Sequence, residues 1–438
     1  MIMSDSSKDL FSSKWGFIFA AAGSAIGMGN IWLFPYRIGE LGGAAFLIPY
    51  IICVFVLGLI AVIGEITFGR LTGKGPIGAF TKALRLSGGH NKVGEFIGWI
   101  PVIVTFVIAL GYSVVVAWVI RFLFDSITVS AFFSINSISY FNLISDKGTS
   151  FWVVLTLTMT GLSIIGGVEK GIEKLNKLMM PAFFILFCLL VVRVAFLPCS
   201  INGYKFLFIP KWRMLLNART WILALGQSFY SLSILGSVLV VYGSYARKSE
   251  DIIYSAKNVA ILSVLASILA SLIIIPAIFS FGKDLNSGPS LMFITIPDIF
   301  KTIPLGQSCM IIFFIAVLFA AITSLMSILE VIIESIQGKL KISRKLSVLI
   351  SIVITAFFSI LTDGHIDGLM DILQIHLVPF CALIAGIFVF WILPSKRIMK
   401  EIQNGRSVMV NKWLIPTGRY IFCGLVILIY LCNLFHLG

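Results

Sequence analysis

The chain has 438 residues, 59% hydrophobic and 12% charged, with a mean hydropathy of +1.04. A soluble domain carries roughly 25% charged residues, so this chain lacks a surface for water; long apolar runs read as bilayer-spanning helices, and their lack of alternation excludes a β-barrel. The formal charge of +14 does not indicate nucleic acid, because the basic residues sit in short loops between apolar runs, where anionic headgroups account for them.

In chain order, fourteen polar residues lead into eleven predicted spans near 15–37, 42–69, 95–124, 150–167, 176–197, 219–243, 256–281, 306–336, 346–361, 371–393 and 414–435. The fold class is an all-α polytopic membrane protein. The first run lacks a small-residue cleavage site, so no cleaved signal peptide is expected. With the N-terminus inside, 23 of the 33 Lys and Arg fall on the inner side. That predicts a multi-pass protein of the cell membrane with a cytoplasmic N-terminus and an outer C-terminus. Loops 125–149 and 282–304 are long. The second holds GPSLMFITIPDIF, with Pro289 and Pro297, and reads as a short re-entrant or capping helix. The seven cysteines form no CxxC pair, which argues against a disulfide framework or a cysteine metal site.

Two spans are interrupted. Span 1 reads AAAGSAIGMGNIWLFPY, with Gly23, Gly27, Gly29 and Asn30 at mid-depth. Span 6 reads LGQSFYSLSILGSVLVVY, with Ser228, Ser231, Ser233 and Gly236. Unpaired backbone groups in hydrocarbon cost several kcal/mol each, so an unwound stretch survives only where it lines a cavity. Close packing through small residues explains one such stretch. Two of them, five spans apart, point to an inverted repeat with a midplane site, where freed carbonyls bind cations and half-helix N-termini attract a carboxylate.

These stretches, with SKWGFIFAAAGSAIGMGNIW, GGAAFLIPYI, GVEKGIEKLNKLMMP, TWILALGQSFYSLS, GPSLMFITIP and AAITSLMS, resemble the neurotransmitter:sodium symporter family in its prokaryotic amino-acid branch. The resemblance implies a leucine-transporter-type fold of the eleven-span subgroup, with a 5+5 inverted repeat and helices 1 and 6 broken. Residues 1–14 would be a cytoplasmic segment, 15–394 the core, and 395–438 a cytoplasmic loop and span 11. Within the core, spans 1–5 cover about 15–197 and spans 6–10 about 219–394.

The resemblance also implies residue roles. One sodium site would use carbonyls of Gly23, Ile26 and Ala320 with hydroxyls of Thr323 and Ser324; back-bonding of that pair to its own helix is the plainer alternative. A second would use Ala25, Asn30, Ser231 and the substrate carboxylate, with Ser263 where relatives carry Asn. Gly27 stands where amine transporters place an acid, so the substrate brings its own carboxylate, with Tyr112 as a donor to it. Gly29 contributes backbone. Ser24, Ile108, Tyr112, Tyr230, Ser233, Gly236, Ser324 and Ile328 would line the pocket. Gly236 replaces a bulky residue, which favours a large hydrophobic or aromatic amino acid. Leu235 beside it would refill the space after a one-residue shift.

Ser267 stands where chloride-independent relatives carry an acid, near Tyr50, Gln227, Ser231 and Ser263. That set is a chloride site, or Ser267 fills space only. Glu65, a charge within an apolar span, would support the unwound backbone of span 6. The outer gate keeps its acid as Asp371 but has Leu33 in place of arginine, with Arg37 one turn further out. At the inner gate stand Lys8, Phe11 and Gly338.

The function expected is sodium-coupled import of an amino acid by alternating access. A binding sensor without transport, or a channel, is the alternative; sodium, an amino acid and the bilayer are the partners, with no nucleic acid. No HExxH, P-loop or GxSxG motif suggests an enzyme.

Overall fold

The structure is a computed structural model describing residues 9–128, 136–146, 149–282, 291–362 and 373–434. Each of the eleven apolar segments is helical. Seven of the described helices are long and apolar enough to cross a bilayer alone: Ala44–Thr72, Asn91–Thr128, Val168–Ala195, Ile252–Ser280, Gly306–Leu340, Arg344–Leu361 and Leu414–Cys432. They are spans 2, 3, 5, 7, 8, 9 and 11. Span 1 is split into Lys14–Ala25 and Gly29–Glu40, bent by 58°. Span 4, Thr149–Ile164, is short, and span 10 runs through a π turn into Val378–Ile392. Span 6 is split into Ala218–Ser231 and Val238–Ser244.

The breaks follow local chemistry. Span 1 stops at Ala25 and restarts at Gly29, across the small residues that let the backbone leave the helix. In span 6, Ser233 and Gly236 both take left-handed backbone, with φ of 53° and 66°. A β-carbon disfavours that region, so Ser233 is held there by its surroundings, while Gly236 adopts it freely.

Short helices also lie between the spans, in segments without a long apolar run. Pro76–Leu86, amphipathic, follows span 2, and Ser137–Asp146 follows span 3. Ser200–Phe208 precedes span 6, and Ser395–Gln403 turns 100° from span 10. Their apolar runs are too short to register as spans. The short helix expected after span 7 is present as Leu291–Thr295 continuing into Ile296–Thr302, its Phe293 packed against Trp118, Phe122, Phe141 and Phe314.

Spans 1 and 6 form the buried centre. Span 1 packs on spans 5, 7 and 8, and the second half of span 6 crosses span 2. That crossing is glycine against backbone on both sides. A β-carbon on Gly69 would lie 1.9 Å from Val240 O, and one on Gly243 would lie 2.3 Å from Ile66 O.

Candidate substrate and ion site

The two broken helices meet at their breaks. Gln227 Nε2 donates to Gly29 O (2.8 Å), and Ser233 Oγ donates to Ser24 O (2.6 Å). Glu65, buried in span 2, accepts from Gly236 N (2.7 Å) and so answers one freed backbone donor.

The oxygens expected to form one sodium site lie together. Thr323 Oγ1 is 3.2 Å from Gly23 O and 3.0 Å from Ala320 O. Ser324 Oγ is 3.0 Å from both Gly23 O and Ile26 O. Thr323 also reaches Phe319 O of its own helix at 3.0 Å, so back-bonding and cross-helix contact coexist. The donor set is three carbonyls and two hydroxyls, a hard-oxygen set of the kind that suits an alkali or alkaline-earth cation better than a soft metal.

The second group is centred on Asn30. Its Nδ2 donates to Ser263 O (3.0 Å), Ser263 Oγ (2.9 Å) and Ser267 Oγ (2.9 Å), while its Oδ1 accepts from Gly27 N at 3.4 Å. Ser263 Oγ donates to Ser231 O (2.7 Å). Tyr50 Oη donates to Ser231 Oγ (3.0 Å) and lies 3.2 Å from Ser267 Oγ. Tyr50, Ser231, Ser263 and Ser267 are therefore one buried network. Gln227 donates its amide nitrogen to Gly29 O and is not hydrogen-bonded to the network among the described residues.

Beside both clusters is a cavity of ≈ 50 Å³. Ser24, Ala25, Gly27, Gly29, Ile108, Tyr112, Tyr230, Ser233, Ser324 and Ile328 line it. Gly27 and Gly29 are forced to be small: a β-carbon would lie 2.5 Å from Tyr112 Oη on the first and 2.4 Å from the Tyr230 ring on the second. Ser231 does not line the cavity; its hydroxyl is turned to Tyr50.

Gly236 corrects the size argument. It lies outside the cavity, and a β-carbon there would meet Ala385 Cβ of span 10 at 2.9 Å. Leu235 lines the cavity instead, because the left-handed residue at 236 turns the following backbone away. Phe229, Val238 and Val378 complete the apolar wall. Val378 had no sequence signal, being one valine among many in an apolar span.

Beyond the break in span 1, Arg37 stands beside a second space of ≈ 100 Å³ that Leu33, Tyr230 and Val378 share. Arg37 is paired with Glu40 at 2.9 Å, and Glu40 with Arg219 at 3.0 Å. Asp371 and Lys8 lie outside the described residues. At the opposite end Phe11 is buried, edge-on to Tyr242 and Phe17. A network that sequence reasoning missed stands behind it. Buried Glu330 accepts from Arg344 of span 9 (3.0 and 2.7 Å) and from Tyr245 Oη (2.9 Å). The signal was an acid in an apolar span.

Two broken helices, crossed at mid-molecule around oxygen clusters and a small apolar cavity, are the architecture of a membrane transporter. A family model described as the sodium:neurotransmitter symporter family matches residues 8–136 and 128–437. An uncharacterized sodium-dependent transporter of Bacillus subtilis is 34% identical over 92% of each chain. Another, from Methanocaldococcus jannaschii, is 30% identical over 94% of this chain and 87% of its own. The crystal structure of MhsT in complex with L-phenylalanine superposes with a TM-score of 0.87 at 30% identity, covering 97% of this chain and all of that one. The chain belongs to the sodium:neurotransmitter symporter family. It is a multi-pass, sodium-dependent transporter and not an enzyme.

Proposed function

We propose that the protein is a symporter coupling the sodium gradient to import of an amino acid by alternating access. The observation that carries this is the shared position of Ser324 and Asn30. Both line the cavity, and each also belongs to one of the oxygen clusters. An ion drawn into either cluster thus orders a wall of the substrate pocket, which is what coupling requires. In this reading Gly23, Ile26, Ala320, Thr323 and Ser324 hold one sodium. Ala25, Asn30, Ser231 and Ser263 hold another, together with the substrate's carboxylate. One charge crossing 100 mV contributes about 2.3 kcal/mol to uptake.

Space at Gly27 is taken by Tyr112 and Ser324, which supports a substrate bearing its own carboxylate. Tyr112 and the amides opening the outer half of span 1 are its donors. The side-chain end is walled by Ile108, Phe229, Tyr230, Leu235, Val238, Ile328 and Val378, which supports an apolar side chain. A large hydrophobic or aromatic amino acid is favoured by that wall and by the phenylalanine bound to MhsT. A cavity of about 150 Å³ is what benzene fills, against ≈ 50 Å³ here, so an aromatic ring needs Leu235 or Ile328 to turn aside.

Uptake into proteoliposomes, with and without an inward sodium gradient, tests the transport reading. Gradient-driven accumulation is expected; binding without accumulation would make the protein a sensor. Competition across the twenty amino acids tests the substrate class, and glycine or alanine outcompeting every aromatic would overturn it.

A further inference from the structure

Asn176 is a fully buried amide near the start of span 5, a helix rich in Leu, Met and Phe. Its Nδ2 donates to Ile172 O, one turn back, at 2.8 Å. That bond fixes which end of the amide is which, because the reversed side chain would set two carbonyl oxygens against each other. Oδ1 therefore faces the other way, and it has no hydrogen-bond partner among the described residues. Buried acceptors are seldom left unanswered, so this one calls for an explanation.

Gly23 shows where Oδ1 faces. A methyl built on Gly23 would lie 2.1 Å from Asn176 Oδ1 and 3.2 Å from Thr323 Oγ1. Gly23 and Thr323 are two of the residues whose oxygens form the first cluster. The amide oxygen and Thr323 thus share the gap that the missing side chain of Gly23 leaves. Carbonyl and amide oxygens are the same class of hard, neutral donor.

We propose that Asn176 supplies a sixth oxygen to this sodium site and sets its affinity for the ion. The inference rests on the sodium reading of the cluster, and it makes span 5 a contributor to ion binding beside spans 1 and 8. It also gives Gly23 a second role, as the opening through which the amide reaches the ion.

The test is thermal unfolding of the purified, full-length protein without substrate, with sodium titrated against potassium at constant ionic strength. Ion binding to the folded state raises the unfolding temperature, so the titration midpoint reports affinity. Asn176→Ala is expected to raise the midpoint on the order of threefold or more, and Asn176→Asp, which places a negative charge at the same point, to lower it. Opposite shifts are a result that a packing role would not produce. Thr323→Ala serves as the control and should also raise the midpoint. If Thr323→Ala does so while both Asn176 variants stay at the wild-type value or move the same way, the sixth oxygen is wrong and the sodium site stands. If Thr323→Ala leaves the midpoint unmoved, the sodium reading fails and this proposal falls with it. Should Asn176→Ala not fold, Asn176→Ser, which also withdraws the amide oxygen, takes its place with the same expected direction.

Discussion

Thr323 and Asn30 each hold several oxygens in place with one short side chain. If they hold sodium as proposed, removing either leaves a dehydrated cation short of ligands, so Asn30→Ala and Thr323→Ala are each expected to abolish sodium-dependent uptake in protein that still inserts. Wild-type rates in either purified variant would sink the assignment. Ser267 bears on the anion. Its hydroxyl belongs to a buried network of neutral donors, so uptake in gluconate is expected to be slower than in chloride, and Ser267→Glu to remove the difference. Equal rates for the unmodified protein in both salts would end that idea. Leu235 bears on substrate size. Leu235→Ala opens the apolar wall, and is expected to improve competition by aromatic over aliphatic amino acids by about tenfold, the scale on which a hydrophobic pocket discriminates. An unchanged ranking would show that another residue sets the limit. The residue types of the oxygen clusters were legible from the chain, because glycine, asparagine and vicinal hydroxyls are conspicuous in apolar spans. Leu235 and Gly236 were not separable, since the direction of a side chain in an unwound segment depends on backbone angles that no local pattern specifies.

At the scale of elements, the crossing of span 2 with the second half of span 6 depends on backbone contact. Gly69→Ala would set a methyl 1.9 Å from Val240 O, and overpacking of this kind typically costs about 1–3 kcal/mol. Thermal unfolding in detergent should register the loss. Gly338, near the C-terminal end of span 8, has open space where a β-carbon would stand. Gly338→Ala is therefore expected to be neutral, or to stabilise by roughly 0.5–1 kcal/mol through helix propensity. Equal unfolding temperatures for the two variants would refute the contrast. The long spans were legible because membrane helices announce themselves by hydropathy. The short helices Ser137–Asp146 and Ser395–Gln403 were not, because their stability comes from packing and interface position, which composition over ten residues does not encode.

Over the whole molecule, the N-terminal segment is held by contacts with span 5 and with the end of span 6, which is tied in turn to spans 8 and 9. Glu173 accepts from Ser12 N (2.6 Å), Ser12 Oγ (2.8 Å) and Ser13 Oγ (2.7 Å), and Asp9 accepts from Val168 N (2.6 Å). Phe11 N donates to Tyr245 O at 3.2 Å, and Tyr245 is bonded to the Glu330–Arg344 pair. Arg344→Gln would leave Glu330 buried without its cation, a change that typically costs about 3–5 kcal/mol. Faster hydrogen exchange of residues 9–25 is expected, as the inner contacts open. Exchange identical to wild type would show that Arg344 does not hold this end closed.

The chain by itself determined the membrane class, the places where two helices break, and the kinds of atoms that would meet there, because each follows from composition and local backbone preference. Only the tertiary structure decided which atoms do meet. It turned Gly236 to span 10 and Leu235 to the cavity, committed Gln227 to Gly29 O, and brought Asn176 of span 5 against Gly23 of span 1. The reason is physical. Hydropathy is a property of each segment alone, whereas a binding cluster is formed by carbonyls and side chains from helices far apart in sequence, and their relative rotation is set by packing.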